Sequence, residues 1–458
     1  MKRRTILKTS ILGATGTALV GTYLSMSAKP VIKKEVRQYN VIVCGAGPAG
    51  VAAALSSAMS GAKTLLIEKN GCLGGVWTAG ALSLVIDHSN KMGLNKLFFK
   101  KLNDMNIPVK DRSSYVYDVE NMKYMLEQLC LEHNVDIRLH TRLADVAVTD
   151  KEIKYIETIS YSGKEYWSAP VFIDCTGNGD LAAYSGCSFD LGHPVSKKTQ
   201  PMTLMALLTG IDTELAGQYL RNNDVKAKYE LLKYLKSASF SPSYELPTLF
   251  DLGNGLYSIM MNHIYGKSGL SSEDVTYATL KAREQIHEMV SLLQKTEVFK
   301  DIRLVATGEQ IGIREGRRIE GLYMVTKEDL LSGFKYNDNI CTVTFHIDVH
   351  SLDPKDGKGV SDQNKIKTKH YGIPVRSIIA KDIDNLLIAG RCISGDFYAH
   401  SSYRVSGNSV SMGEASGVIA AYISLNNNRL KSGTFEKLKN KVDNFRKGIM
   451  STLKMEIS

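Results

Sequence analysis

Gly45-Ala46-Gly47-Pro48-Ala49-Gly50 carries the GxGxxG spacing. In that pattern the first glycine permits a tight turn, the second lets backbone approach a pyrophosphate, and the third lets a helix pack on a strand. Phosphates held there meet free N–H groups and the positive end of a helix dipole. Glu68 stands eighteen residues beyond Gly50, with Lys69 next to it, where a carboxylate accepts hydrogen bonds from ribose hydroxyls. Further along, His400 and Arg404 offer a proton shuttle and an anion holder. The alternative is a histidine satisfied by backbone and an arginine paired with Glu414. Arg314, Arg317 and Arg318 form a denser basic cluster. At helical spacing Arg314 and Arg318 share a face and suit a carboxylate, or else an ion-pair face with Glu315 and Glu320, the assignment for Arg317. His346, Asp348 and His350 alternate along an expected strand and so point one way. Nothing nearby supplies a fourth ligand, so no metal is assigned.

These residues need elements to place them. Tyr39-Asn40-Val41-Ile42-Val43-Cys44 reads as a buried parallel strand, residues 49–60 as an alanine-rich helix, and Thr64-Leu65-Leu66-Ile67 as the next strand, ending at Glu68. Together they make a β-α-β unit. Met122, Met125, Leu126, Leu129 and Cys130 form a helical stripe over 119–132, with Asp118 as N-cap. Strands are expected at 135–139, 143–148, 153–161 and 171–174, with a turn at Ser162-Gly163. Between 195 and 345 the character changes to lysine-rich amphipathic stretches, 224–236 and 272–293, with a strand candidate at 257–261. Residues 384–425 return to the Gly/Ala-rich character of the start, and 431–454 read as a basic surface helix.

Which dinucleotide is bound follows from the other glycine-rich segments. Gly71-Cys72-Leu73-Gly74-Gly75-Val76 forms a close-approach loop past Glu68, and Val76-Trp77-Thr78-Ala79-Gly80 is expected to border the cofactor ring unless Trp77 is plain core. The strand 171–174 enters Cys175-Thr176-Gly177-Asn178-Gly179-Asp180, and Asn385-Leu386-Leu387-Ile388-Ala389 runs into Gly390-Arg391. Three separated segments converging on one nucleotide resemble the glutathione-reductase-like flavoproteins, which implies FAD. The chain also resembles FAD-dependent oxidoreductases related to the flavin subunit of heterodisulfide reductase, over about residues 39–425. The resemblance lies in 309–319 (Glu309 to Ile319), Tyr371-Gly372-Ile373-Pro374-Val375-Arg376, Gly390-Arg391-Cys392-Ile393-Ser394, Ala399-His400-Ser401-Ser402-Tyr403-Arg404-Val405 and Gly413-Glu414-Ala415-Ser416-Gly417. It implies that Gly413, Ala415 and Ser416 begin a helix, continuing through 418–422, whose N-terminus faces the flavin O2 edge and steadies the reduced anion. Some such relatives carry iron–sulfur clusters, but the seven cysteines stand at least twelve residues apart and no CxxC occurs. They read as small buried hydrophobes, with no disulfide framework.

The expected fold class is therefore α/β: a discontinuous Rossmann-type FAD-binding domain (38–195 and 346–428) with an inserted α+β substrate or cap domain (196–345), then a basic C-terminal helix (429–458). The net charge of +10 includes Lys2, Arg3, Arg4 and Lys8. The remaining lysines are scattered without aromatic interleaving, which argues against nucleic acid. Lys2-Arg3-Arg4, a mildly apolar run over 11–24 and small residues at 25–28 resemble a twin-arginine signal spanning 1–28. A general secretory signal or an uncleaved anchor is the alternative. No stretch reaches the roughly 18 apolar residues of a membrane span, so no stable span is expected after signal removal. The functional expectation is an exported FAD-dependent oxidoreductase, acting in the periplasm or outside the cell on a small molecule. Its electron donor or acceptor is unassigned. The alternatives are an electron-transfer subunit serving a partner redox protein, or a flavin-binding protein without turnover.

Overall fold

A computed structural model describes residues 35–455, apart from 106–113, 222–224, 358, 360 and 362–365. The elements that frame the site open with β1 (Val41–Cys44), α1 (Pro48–Met59), β2 (Thr64–Ile67), α2 (Val119–Glu132), β3 (Asp136–Arg138), β4 (Val171–Asp174) and α3 (Asp180–Tyr184). Next come β5 (Ala206–Thr209), α4 (Lys226–Ser237), β6 (Thr248–Gly253), β7 (Leu256–Met260), α5 (Ser272–Leu293) and β8 (Arg303–Thr307). The chain then returns through β9 (Leu386–Ile388), α6 (Phe397–Tyr403), α7 (Ser406–Leu425) and α8 (Phe435–Met455).

β9, β4, β1, β2 and β3 pair in that order, every pair parallel. All four residues of β1, β2 and β4 are buried. A parallel strand covered on both faces needs such a continuous apolar run. The sheet edge at β9 arrives from more than two hundred residues beyond β4, so the dinucleotide fold is assembled from distant chain. Asp118 caps α2 through its carboxylate, which accepts from the Glu120 and Asn121 amides. Residues 142–149, 152–160 and 163–168 form an antiparallel meander. Ser162-Gly163 is thus a hairpin turn into a strand, not the direct approach to β4 expected from sequence.

A second hydrophobic core gathers Met202, Leu204, Leu249, Ile259, Ile286 and Ile311. It lies beneath the antiparallel sheet β6-β7-β5-β8 and the helix α5. Ile319, Val325, Leu330, Ile340 and Val343 instead join the core of the parallel sheet.

The helix expected to begin at 413–417 begins earlier, at Ser406. The run Ser406-Gly407-Asn408-Ser409 has poor intrinsic helix propensity, but tertiary packing overrides it. A Cβ on Gly413 would stand 2.0 Å from the Ala49 carbonyl oxygen, and one on Gly417 would stand 2.1 Å from that of Ala53. The backbones of α1 and α7 approach so closely that only glycine fits at the crossing.

Candidate active site

A cavity of about 1230 Å3 runs from the first turn of α1 to the face of the second sheet. At one end lie Gly45, Gly47, Pro48 and Ala49, then Glu68 and Lys69. Gly45 has φ +91°, and a Cβ there would fall 2.5 Å from the Cys175 carbonyl oxygen. Gly47 caps α1 without a side-chain hydrogen bond, and a Cβ there would meet nothing within 4 Å. The leading amides of α1 are therefore left for an anion in the cavity. Gly50 faces inward, its Cβ position 1.7 Å from the Gly45 carbonyl oxygen. The Ala46 amide donates to Glu68 Oε2 at 2.7 Å and the Asn70 amide to Oε1 at 2.9 Å. Burial raises the pKa of Glu68 and these amides pull it back, and its orientation is fixed before any ribose arrives.

Thr176, Gly177 and Asp180 line the middle of the cavity with Gly390 and Arg391. They are organised by the buried Asp174 at the end of β4, which accepts from the Thr176 amide and hydroxyl and from the Ala182 amide. Arg391 donates to Asn178 Oδ1 at 2.8 Å, while its Nε and that of Arg317 are buried without a hydrogen-bond partner. Gly75 and Val76 face the cavity, as do Val405, Ser406 and Ser409 at the start of α7.

At the far end Arg314 Nη1 donates to Pro201 O and Thr203 Oγ1, both at 2.7 Å, and Nη2 reaches only the Met260 sulfur at 4.0 Å. Burial and the neighbouring Arg404 guanidinium push the Arg314 pKa down to about 10. Arg404 donates to the Asp348 carbonyl at 2.7 Å and lies 3.5 Å from its carboxylate. His350 Nε2 is 3.3 Å from that same carboxylate, whereas His350 Nδ1 has no partner. Burial and Arg314 hold the His350 imidazole neutral, its pKa lowered to about 4. Burial opposes ionisation of Asp348, but His350, Arg404 and Arg314 outweigh it and keep the carboxyl well below the usual range. Tyr244, Phe250, Phe345 and Lys228 complete this end.

Residues 40–442 match the family of FAD dependent oxidoreductases, and the motif, the sheet and the glycine cradle agree with that match. The chain belongs to this family. A curated relative, thiamine thiazole synthase of Aeropyrum pernix, is 30% identical over 125 residues, 27% of this chain and 44% of the relative. The match thus spans less than half the length of that relative. Among solved structures, a geranylgeranyl bacteriochlorophyll reductase-like protein of Thermoplasma acidophilum aligns over 92% of this chain and 84% of its own, at 11% identity and TM-score 0.43. The p-nitrophenol 4-monooxygenase of Pseudomonas putida aligns over 92% and 87%, at 12% identity and TM-score 0.46.

In this FAD-dependent oxidoreductase, Gly45, Gly47, Pro48, Ala49, Glu68, Lys69, Gly75, Val76, Thr176, Gly177, Asp180, Gly390 and Arg391 all border the cavity. Gly50, Gly74, Gly413, Ala415 and Ser416 do not. Gly74 makes a left-handed turn at φ +103°, and Gly413, Ala415 and Ser416 lie buried inside α7. The helix N-terminus that faces the cavity belongs to Ser406, because α7 starts before Gly413. Trp77 is core, edge-on to Phe98 and Tyr117.

Arg314 and Arg404 reach the cavity, but His400 does not. It is fully buried in α6, with both ring nitrogens unpartnered and its pKa well below the ordinary value through burial and the nearby Arg318. Arg404 pairs with Asp348, not Glu414, which is held by Arg446. Arg314 and Arg318 share no helical face. Arg318 stands in a two-residue strand and pairs with Glu315 at 2.6 Å, while Arg317 pairs with Asp180 at 2.9 Å. Glu320 pairs with Lys381.

His350, Asp348, Lys228 and Tyr244 are site residues that sequence reasoning did not assign. The alternating His346, Asp348 and His350 were the available signal, since all three line the cavity. They do so from an irregular segment beyond the strand Asn339–Val343. Among the described residues no three His, Cys, Asp or Glu side chains group as metal ligands would.

Proposed function

We propose that this oxidoreductase acts on a small molecule bound at the Arg314–Arg404 end of the cavity, by flavin-mediated hydride or electron transfer, and that it works after export. The observation that carries the reading is continuity: one cavity joins the dinucleotide cradle to a cluster of arginines and a histidine–aspartate pair. Gly47 and the start of α1 would hold the pyrophosphate, Glu68 the ribose, and Gly75, Val76, Gly390 and Arg391 the remainder. Bound FAD supplies the two-electron chemistry; the side chains bind, orient and move protons. Asp348 fixes the tautomer of His350 by accepting from Nε2, which leaves the Nδ1 lone pair for a substrate proton. Kinship with the flavin subunit of heterodisulfide reductase rests on the ordered motifs between 309 and 417, and export on the first 28 residues.

The test is anaerobic titration of the flavin-loaded protein with candidate donors, read by bleaching of the flavin absorbance. Bleaching by a small molecule is expected. Reduction by a partner redox protein alone, with every small molecule inert, would replace this reading with the electron-transfer subunit.

A further inference from the structure

The far end of the cavity carries more positive charge than its own carboxylate balances. Arg314 is anchored by a carbonyl and a hydroxyl, both neutral, and its second terminal nitrogen meets only a thioether sulfur. Arg404 shares Asp348 with His350, and Glu315, the other carboxylate near Arg404, is engaged by Arg318 at 2.6 Å. Lys228 lines the same space and makes no ion pair among the described residues. Arg221, also lining the cavity, lies over the Phe250 ring at 5.5 Å. Arg314, Arg404 and Lys228 thus share Asp348 as a neighbouring carboxylate. A buried guanidinium with neutral partners forgoes the compensation that an anion would give it. Apolar and aromatic side chains line the same cavity, among them Tyr244, Phe250, Phe345, Met205 and Met260, and Met260 and Tyr244 lie beside Arg314 itself.

We infer that the substrate is an organic carboxylate with an apolar or aromatic body, its carboxylate seated between Arg314 and Lys228 and its body against Tyr244 and Phe250. The inference rests on the reading that this end of the cavity holds the substrate. The open edge of Arg314 presents the planar donors that match a carboxylate. The one carboxylate already present, Asp348, is turned to Arg404 and His350, so it does not neutralise that edge. The aromatic wall excludes water from the ion pair, which strengthens it and rewards an apolar body over a bare oxyanion.

The experiment is calorimetric titration of the FAD-loaded protein with sodium benzoate, benzamide and inorganic phosphate. Benzoate is expected to bind at a single site, and benzamide at least a hundredfold more weakly. Arg314→Met should weaken benzoate at least tenfold and Lys228→Met severalfold, with FAD content unchanged in both. Benzamide binding as tightly as benzoate, or phosphate binding more tightly, would overturn the inference. So would unchanged benzoate affinity in Lys228→Met, the variant that carries the test should Arg314→Met fail to fold. Binding heat needs no turnover, so the two readings fail separately. A protein that takes benzoate but is reduced by no small molecule fails only the proposed reaction. One reduced by neutral donors and indifferent to benzoate fails only the anion seat.

Discussion

His350 and His400 show how environment separates two histidines of one chain. Both are buried and both are held neutral, yet only His350 borders the cavity and only His350 has a carboxylate on its far nitrogen. His350→Asn should therefore keep its FAD and lose at least a hundredfold in the rate of flavin reduction by substrate, in line with removal of a positioned base. His400→Ala should leave that rate alone and lower stability by about 2–4 kcal/mol, the cost of an unfilled core site. Urea unfolding together with stopped-flow reduction distinguishes them, and a rate loss confined to His400→Ala would reverse the assignment. Lys228 gives a pH signature. Burial, then repulsion from Arg221, lowers its pKa to about 8, against a partial counter-pull from Asp348. Affinity for benzoate should be flat well below pH 8 and fall severalfold as pH rises through it, levelling at the affinity of Lys228→Met once the lysine has lost its proton. Lys228→Met should abolish that inflection. Stability moves the other way: the folded pKa lies below that of a free lysine, so the fold gains stability as pH rises from about 8 toward the usual lysine range. Gly45, Gly47, Gly75, Gly177, Gly390, Glu68, Arg314 and Arg404, which border the cavity, were legible because each is marked by local spacing or by position between two nucleotide segments. Lys228, Tyr244 and His350 meet from segments up to 122 positions apart, a proximity that no local pattern encodes.

Elements fold here by two different rules, and the sequence displays only one of them well. β1, β2, β4, α2 and α5 follow apolar runs or periodic stripes, and they stand within a residue or two of their expected positions. The helix α7 obeys packing instead. Its first turn is Ser, Gly and Asn, which read as loop, but these residues are buried, Gly407 against the Ile86 and Asp87 carbonyls and Asn408 beside Cys341. Moving the helix start from 413 to 406 is thus a matter of tertiary contact outweighing propensity. The consequence can be measured with one substitution at two places. Gly413→Ala adds a methyl 2.0 Å from the Ala49 carbonyl oxygen, forcing α1 away from α7 at a cost of about 1–3 kcal/mol. Because the first turn of α1 borders the cofactor cradle, FAD retention should fall with it. Gly448→Ala, in α8 with nothing within 4 Å, should raise stability by up to about 1 kcal/mol through helix propensity. Thermal unfolding and flavin release read both, and a stabilised Gly413→Ala would mean that the two helices do not touch as described.

At the scale of the whole molecule, the cofactor site is a product of long-range assembly. Its cradle draws on segments within 45–49, 68–70, 75–76, 175–180 and 389–391, and β9 completes the sheet only after the second core has been laid down between β4 and β9. No unfolded segment of this chain offers more than a fraction of the FAD contacts, so cofactor loading has to follow folding. That order bears on the N-terminal segment, which lies outside the described residues and is known from sequence alone. No described helix is long and apolar enough to cross a membrane. If Arg3 and Arg4 form a twin-arginine signal, the protein crosses its membrane already folded around FAD, whereas a general secretory route would thread it unfolded and leave the flavin behind. The two routes read the arginines differently, one demanding the guanidinium pair and the other only positive charge. Replacing both, as Arg3→Lys with Arg4→Lys, keeps the charge and removes the pair. The expected result on cell fractionation is a full-length, FAD-bearing precursor held in the cytoplasm, while the unaltered chain is shortened and found beyond the membrane. Undiminished export of the double variant would reject the twin-arginine route, and FAD would then have to be acquired after translocation.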